Sequence, residues 1–271
     1  MSATPHPHAL CRALPWAPQA QRRRIAAQRP TTGDLSAPMG GIGAGTLNLG
    51  ANGGLAQTAL LPWAPEPGGW PGAGVSIFAD GAARALMPAD RAAPGWHADP
   101  TGSHHALWPK AWHCHHVGAL EVTVEQISPV IPGERDADLP AALLRVHLTN
   151  RGAAPCPAGV MLTLPNLLGG AAPGHMPEGQ RAEAAESGVT MHRALAGPSG
   201  PLDGTMALAA APAPGLEITA CPAFDPAAEG ADIWRHFSEE GRVAPLAPWM
   251  SGGAFAEHPA PVQMAALAAR A

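Results

Sequence analysis

Apolar and polar residues alternate with a period of two along most of this 271-residue chain. The segment ALEVTVEQ places Leu120, Val122 and Val124 on one face and polar side chains on the other, as a half-buried strand does. The segments LLRVHLTNRG and GLEITAC alternate in the same way. Such segments recur with Pro and Gly between them, so the pattern predicts an all-β fold, a large antiparallel β-sandwich of two packed sheets with long loops.

Turn-forming residues indicate where some of these strands end. GVSIFADG ends on Asp80-Gly81, a dipeptide typical of tight hairpins. LLRVHLTNRG ends at Asn150-Arg151-Gly152, and GVMLTL follows within a few residues. We therefore expect the two strands that flank this second turn to pair as a hairpin.

One segment, DIWRHFSEEGRV, has a helical pattern instead. Ile233, Trp234 and Phe237 fall on one stripe, and Gly241 suits the left-handed position that follows a helix end. The sequence therefore predicts one short helix, late in the chain.

Composition divides the rest of the chain. Residues 1–32 are rich in Pro, Arg, Ala and Gln, which predicts an irregular N-terminal segment before a sandwich domain over residues 33–271. Residues 170–187 are rich in Gly, Pro, Glu and Ala, and we expect a flexible surface loop there. The 32 glycines and 32 prolines favour short elements joined by many turns.

Charge and hydropathy argue against several classes of partner. The net charge is −5, and the only basic run is Arg22 to Arg24, so we expect no nucleic-acid partner. The first 30 residues contain no apolar run of seven, and no stretch approaches 18 apolar residues, so we expect neither a signal peptide nor a membrane span. The four cysteines form no CxxC pair, which favours reduced thiols in the cytoplasm; they are Cys11, Cys114, Cys156 and Cys221.

The segment APMGGIGAGTLNLG concentrates four glycines within residues 40–45. A dinucleotide site needs G-x-G-x-x-G opening a helix, whereas here Thr46 stands at the third glycine position and a strand pattern follows. We therefore predict no cofactor at this loop. The alternative is structural: glycine allows close backbone approach and positive φ angles.

The segment HCHH is the best candidate for a metal site by composition. On a strand, however, His113 and His115 point to one side while Cys114 and His116 point to the other. Four ligands cannot converge from both faces, although two of them could combine with distant residues. We predict no metal and expect these histidines to be half-exposed amphipathic residues.

Two other kinds of catalytic centre, a carboxylate pair and a Ser-His-Asp triad, have little support in the sequence. Asp136 and Asp138 lie two residues apart in the loop GERDADLP, and they could face the same side as a pair for glycoside cleavage. Loop acids near Pro and Gly more often bond their own backbone to form turns. No G-x-S-x-G motif is present, so the sequence has no local signature of Ser-His-Asp catalysis.

Four motifs, in order, resemble the N-terminal domain of glycoside hydrolase family 116, which includes the non-lysosomal glucosylceramidase, or bile acid β-glucosidase, and bacterial β-glucosidases. The segments are PMGGIGAGTLNLG, HALWPKAW, ISPVIPGERDADLPAALLRVHLTNRG and IWRHFSEEGRV, and the resemblance spans residues of about 30 to 271. Its motif residues, interpreted as structural, are Gly40, Gly41, Gly43, Gly45, Trp112, Ser128, Pro129, Pro132, Leu139, Pro140, Asn150, Trp234, Phe237 and Gly241.

The resemblance implies a β-sandwich that supports a C-terminal (α/α)6 helical barrel, and the family's catalytic Glu and Asp belong to that barrel. The printed sequence stops at Ala271, where the sandwich would finish. We therefore expect a non-catalytic domain whose barrel lies on another chain or was lost by truncation. Family members carry tyrosines around HALWPKAW, and this chain has histidines and no tyrosine, which accounts for the histidine cluster without a metal.

Two alternatives remain open. A freestanding carbohydrate-binding sandwich would stack sugars on exposed tryptophans, and the candidates are Trp70, Trp96, Trp108, Trp112 and Trp249. An inert truncated product would expose an apolar surface where the barrel should dock.

Overall fold

A computed structural model describes residues 35–60, 66–67, 69–130, 133–171, 177–193, 203–245 and 264–271. The first strands are β1 (Thr46–Leu49), β2 (Leu55–Ala59), β3 (Glu66–Pro67), β4 (Gly74–Ala79), β5 (Ala82–Ala85), β6 (Ser103–Leu107), β7 (Lys110–Val117) and β8 (Leu120–Ile127). A 3-10 helix (Arg135–Asp138) precedes β9 (Leu143–Asn150), β10 (Ala158–Pro165), β11 (Gln180–Ala185), β12 (Gly188–Arg193), β13 (Gly204–Ala209), β14 (Glu217–Phe224), helix α1 (Gly230–Glu240) and β15 (Met264–Arg270). The predicted start of the sandwich at residue 33 lies outside the described residues.

The strands form four sheets, and all their strand pairs are antiparallel. The central sheet has the order β14-β15-β10-β4-β5, and a four-stranded sheet has the order β6-β7-β8-β9. Two three-stranded sheets have the orders β1-β2-β3 and β11-β12-β13. The predicted all-β class is confirmed.

The sandwich core lies between the central sheet and the four-stranded sheet. Val75 and Ile77 of β4 pack in one apolar cluster with Val122 and Val124 of β8. Period-two alternation brings these side chains to one face of each strand, as the sequence predicts. The sheet β11-β12-β13 covers the far end of the same central face, since its buried apolar residues cluster with those of β15. The layer opposite the central sheet is therefore split in two.

Helix α1 covers the other face of the central sheet. The Phe237 ring meets Phe78 of β4 edge-on, and Trp234 stacks on Trp96 with 4.9 Å between ring centroids. Gly241 ends the helix with φ of 68°, and its N–H donates to the Phe237 carbonyl oxygen at 2.8 Å. The predicted helix and its terminal glycine are thus confirmed. Within the described residues, no helix is long and apolar enough to cross a membrane.

The Asp80-Gly81 hairpin is also confirmed, because it joins β4 to β5 with both residues at positive φ. The predicted hairpin between β9 and β10 is wrong. Strand β9 pairs with β8 along its whole length, whereas β10 lies between β15 and β4. The Asn150 side chain accepts from the Gly152 N–H and donates to the Ala154 carbonyl oxygen, and there the chain leaves one layer for the other.

The loop predicted over residues 170–187 is wrong in part. Residues 172–176 lie outside the described part of the chain, but β11 occupies Gln180–Ala185 and pairs with β12. Gln180 and Ala182 are buried and alternate with exposed Arg181 and Glu183. Their period-two pattern was hidden by a composition of Ala and Glu, which strands seldom use.

Candidate functional site

The glycine-rich residues 40–45 form the tip of a hairpin, here called the glycine hairpin, which comprises residues 35–50. The Met39 N–H donates to the Leu47 carbonyl oxygen at 2.9 Å, and the Leu47 N–H returns the bond at 2.8 Å. A third bond joins the Ser36 N–H to the Leu49 carbonyl oxygen at 2.9 Å. A strand, not a helix, follows the glycines, so the local geometry lacks the helix N-terminus of a dinucleotide-binding loop.

Backbone crowding requires most of the glycines at the tip. A Cβ on Gly40 would lie 2.1 Å from the Gly45 carbonyl oxygen, and one on Gly41 would lie 2.3 Å from that of Leu139. A Cβ on Gly45 would lie 2.7 Å from the Ala59 carbonyl oxygen. Gly43 differs, because nothing lies within 4 Å of its missing Cβ and only its φ of 76° favours glycine. These contacts support a structural interpretation of the loop.

Three of the four sequence motifs meet at the glycine hairpin. The Ile42 N–H donates to the Ala137 carbonyl oxygen at 2.8 Å, which ties the hairpin tip to the 3-10 helix. The Ser128 hydroxyl donates to the Pro38 carbonyl oxygen at 2.5 Å, and the Ser128 N–H donates to that of Pro109 at 2.9 Å. Segments far apart in sequence therefore share one end of the four-stranded sheet.

The remaining motif residues lie elsewhere. Trp234, Phe237 and Gly241 belong to α1 on the far side of the central sheet. Asn150 lies at the opposite end of β9 from this meeting point, and Pro132 is outside the described residues. The predicted residues consequently form no single cluster.

Four large apolar side chains are exposed at the end where the three motifs meet. They are Ile42, Trp108, Leu139 and Leu143, with 61%, 57%, 46% and 46% of their surface exposed, and we call them the apolar rim. Leu143 pairs in register with Ile127, which directly precedes Ser128. Sequence reasoning missed Ile42 and Leu143; the one available signal was a large apolar residue among turn glycines.

A charged cluster lies on the outer face of the same sheet. The buried Glu125 carboxylate accepts from Lys110 Nζ at 2.9 Å and from Arg145 Nη1 at 3.1 Å, and His147 Nε2 lies 3.8 Å away. Burial alone would raise the pKa of Glu125, but the Lys110 hydrogen bond and the neighbouring cationic charges outweigh it and lower that pKa. One carboxylate thus serves two cations beside the apolar rim.

The tryptophans divide between core and surface. Trp70 and Trp96 are buried, and the Trp96 Nε1–H donates to the Gly230 carbonyl oxygen at 2.8 Å. Trp112 is half-buried opposite Glu125, and Trp249 lies outside the described residues. Among the five candidates, the described residues offer one exposed ring, that of Trp108. A sugar-stacking groove of two exposed tryptophans is not formed by the four that are described.

The histidines are more deeply buried than predicted. His113 and His115 of β7 are buried and His116 is exposed, so the predicted opposite directions are confirmed. The expectation of half-exposed side chains is wrong for His113 and His115, and the neighbouring His104 and His105 of β6 are buried as well. For His113 the reason is that a neutral imidazole can be buried when a hydrogen-bond partner is supplied, here Gln126. No three His, Cys, Asp or Glu side chains in the described ranges are placed to hold a metal ion.

Asp136 and Asp138 do not form the suggested pair. Both are exposed on the 3-10 helix, in which each residue advances about a third of a turn. A spacing of two therefore directs their side chains to different sides. A different carboxyl is perturbed: the pKa of Asp99 is lowered, chiefly by the His115 imidazole, whose Nδ1 lies 3.7 Å from Oδ2.

Comparison with known families shows to which family this chain belongs. The model for the N-terminal part of glycosyl-hydrolase family 116, described as beta-glucosidase 2, matches residues 36–271. The chain belongs to glycosyl-hydrolase family 116. The family 116 match begins at Ser36, the first residue of the glycine hairpin to bond with β6 and β8, and it includes all four motifs.

Proposed function

We propose that this family 116 domain is a non-catalytic sandwich that packs against a helical (α/α)6 barrel of a β-glucosidase or glucosylceramidase-like enzyme. The observation that carries the proposal is the apolar rim, at the end of the sheet where three motifs meet. Large exposed apolar side chains grouped on one surface are typical of protein interfaces. The family's catalytic Glu and Asp would be supplied by the barrel.

The surroundings of the rim suit a polypeptide partner. Charged side chains of both signs lie beside the exposed apolar side chains, namely the Glu125 cluster and Asp136 and Asp138 of the 3-10 helix, and an interface commonly surrounds its apolar centre with such polar residues. A partner with an apolar patch inside a polar border would complement both features. A backbone hydrogen bond from the Ile42 N–H to the Ala137 carbonyl oxygen ties the hairpin tip to the 3-10 helix beside Leu139, which helps to preorganise this part of the rim for docking.

The test is reconstitution of activity. The purified chain alone should not hydrolyse a chromogenic β-glucoside, whereas co-expression with a candidate helical barrel, sought in the genome immediately downstream, should yield a complex that does. Turnover by the chain alone would contradict the non-catalytic assignment. A soluble helical segment that neither binds this chain nor gains activity from it would contradict the supporting role.

A carbohydrate-binding module is the alternative function, and the exposed Trp108 ring is the observation that favours it. Titration calorimetry with glucose oligomers would then show binding by the isolated chain that Trp108→Ser removes. Burial of Trp70 and Trp96 weakens this alternative. A third hypothesis, an inert truncated product, predicts no association with any helical segment.

We also propose a cytoplasmic location. The sequence contains no CxxC pair and Cys156 is a free thiol, as is usual in a reducing compartment. Fractionation of the source cells with an antibody against the chain would test it, and recovery from the extracellular medium would contradict it.

A further inference from the structure

Buried imidazoles lie directly beneath the glycine hairpin. His104 of β6 and His113 of β7 pair in register, and their ring centroids are 4.8 Å apart. Both rings are buried. The hairpin reaches them through Ser36, whose hydroxyl lies 2.9 Å from His104 Nε2.

The hydrogen bonds among these residues form a directed relay, here called the histidine relay and made of Ser36, His104, Gln126 and His113. The Ser36 hydroxyl donates to Gln126 Oε1 at 3.1 Å, so its oxygen must accept from His104 Nε2–H. Gln126, with its amide assigned from this network, donates through Nε2 to His113 Nε2. His113 can accept that bond only while its Nε2 carries no proton.

We propose that the histidine relay is an acid-sensitive anchor, which holds the glycine hairpin on the sheet at neutral pH and releases it when His113 is protonated. A proton on His113 Nε2 would oppose the Gln126 donor. For this new N–H to find an acceptor, the Gln126 amide and the Ser36 hydroxyl must both reverse their direction, or the hairpin must separate from β8. The buried ring gains no counter-charge from either change.

Among the described residues, the groups that act on His113 include no acid that would compensate its charge. The titratable groups that act on it are His104 and His105 of β6 and His115 of its own strand, all of the same charge type. Strand β8 presents Val124 and Gln126 to it, neither of which titrates. The Asp99 carboxylate contacts a different histidine of the cluster, because its Oδ2 lies 3.7 Å from His115 Nδ1. The Glu125 carboxylate is on the opposite face of the sheet.

The direction of the pH effect follows from these surroundings. Burial, and then the charges of His104, His115 and His105, lower the pKa of His113 well below its ordinary value of 6.5. An opened hairpin would return this pKa toward 6.5, so protons bind the open form more strongly. The closed form is therefore fully favoured above pH 6.5 and loses its advantage below it, by about tenfold in the open-to-closed ratio per pH unit.

Hydrogen exchange of the purified 271-residue chain tests this anchor. After correction for intrinsic rates, exchange of peptides covering residues 35–50 should rise about tenfold between pH 7.5 and pH 5.5, while β8 and β10 stay protected. His113→Gln keeps an acceptor near the Nε2 position without the titration, so its exchange should be independent of pH. His116→Gln, exposed on the same strand, is the matched control and should behave as wild type.

Two outcomes would overturn the proposal: wild-type exchange that does not change with pH, or a His113→Gln variant that retains the full pH dependence. If His113→Gln fails to fold, Ser36→Ala replaces it, because that change cuts the relay and leaves both imidazoles in place. In the Ser36→Ala variant, the amide hydrogens of the glycine hairpin should already exchange rapidly at pH 7.5. A Ser36→Ala hairpin as protected as wild type would equally refute the anchor. The measurement requires no helical partner, so it is independent of the proposed function.

Discussion

Two groups of apolar side chains on the four-stranded sheet have opposite environments. On the inner face, Val122 and Val124 are 0% and 2% exposed against the central sheet. At the apolar rim, Ile42 and Trp108 are more than half exposed. The inner group stabilises the fold, since burial of a Val or Leu side chain contributes about 1.5–3 kcal/mol. The rim side chains stay exposed and gain no comparable stabilisation from folding. We therefore attribute their apolar character to association with a partner.

The largest effect should come from the inner group. Leu120→Ala removes a buried side chain from the end of β8 and leaves a cavity, and we expect a loss of about 3 kcal/mol in the free energy of unfolding. Urea denaturation measures this. The matched change at the rim, Leu143→Ala on the adjacent strand, should cost less than about 0.5 kcal/mol. Equal losses at both positions would abolish the distinction between the two groups.

The next largest effect should come from the tip that positions the rim. Gly41→Ala places a Cβ 2.3 Å from the Leu139 carbonyl oxygen, so the glycine hairpin or the Leu139 backbone must move. We expect about 2 kcal/mol of destabilisation by thermal unfolding. Gly43→Ala is the control, since it meets only backbone strain and should cost about 1 kcal/mol. A larger loss for Gly43→Ala than for Gly41→Ala would contradict the crowding at the tip.

A smaller effect should come from the charged cluster beside the rim. Glu125→Gln leaves Lys110 and Arg145 without their carboxylate, and we expect a loss of about 1–2 kcal/mol at pH 7. The folded pKa of Glu125 is lowered, so its stabilisation is present above its ordinary value of 4.5 and is lost as the pH falls below that value. The stability difference between wild type and variant should therefore begin to shrink as the pH falls below 4.5. Convergence already at pH 6 would assign the difference to another group.

The smallest effect on stability should come from the most exposed ring. Trp108→Ser should change the free energy of unfolding by less than about 0.5 kcal/mol, because the ring is 57% exposed. Differential scanning calorimetry of the isolated chain checks this. A marked fall in Tm would show that Trp108 belongs to the core and not to a surface for association.

Local pattern was sufficient for β4, β8, β9, β10 and β14 and for α1, because period-two and helical stripes depend on near neighbours along the chain. The pairing of β9 with β10 was wrong because the Asn150 turn shows where a strand ends and not which strand lies beside it. Strand β11 was missed because its Ala- and Glu-rich composition is unfavourable for strands, and the pairing with β12 overrides that preference.

The site was less accessible to sequence reasoning than the fold. The apolar rim depends on contacts such as Ile42 to Ala137, which join residues distant along the chain. The burial of His104 and His113 depends on Ser36 and Gln126, and nothing in the HCHH segment indicates those partners. The family motifs marked the segments that meet, but neither motif nor period revealed that they meet at one end of a sheet.

The central claim, that the apolar rim is a docking surface, is tested most directly by an affinity measurement with the candidate helical barrel that restores activity on co-expression. The four rim residues are replaced together by serine, and the control replaces His116 and Thr149, exposed at the opposite end of the same sheet. We predict that the rim variant keeps wild-type stability but binds at least about 100-fold more weakly, while the control binds normally. A rim variant that binds as tightly as wild type would contradict the account.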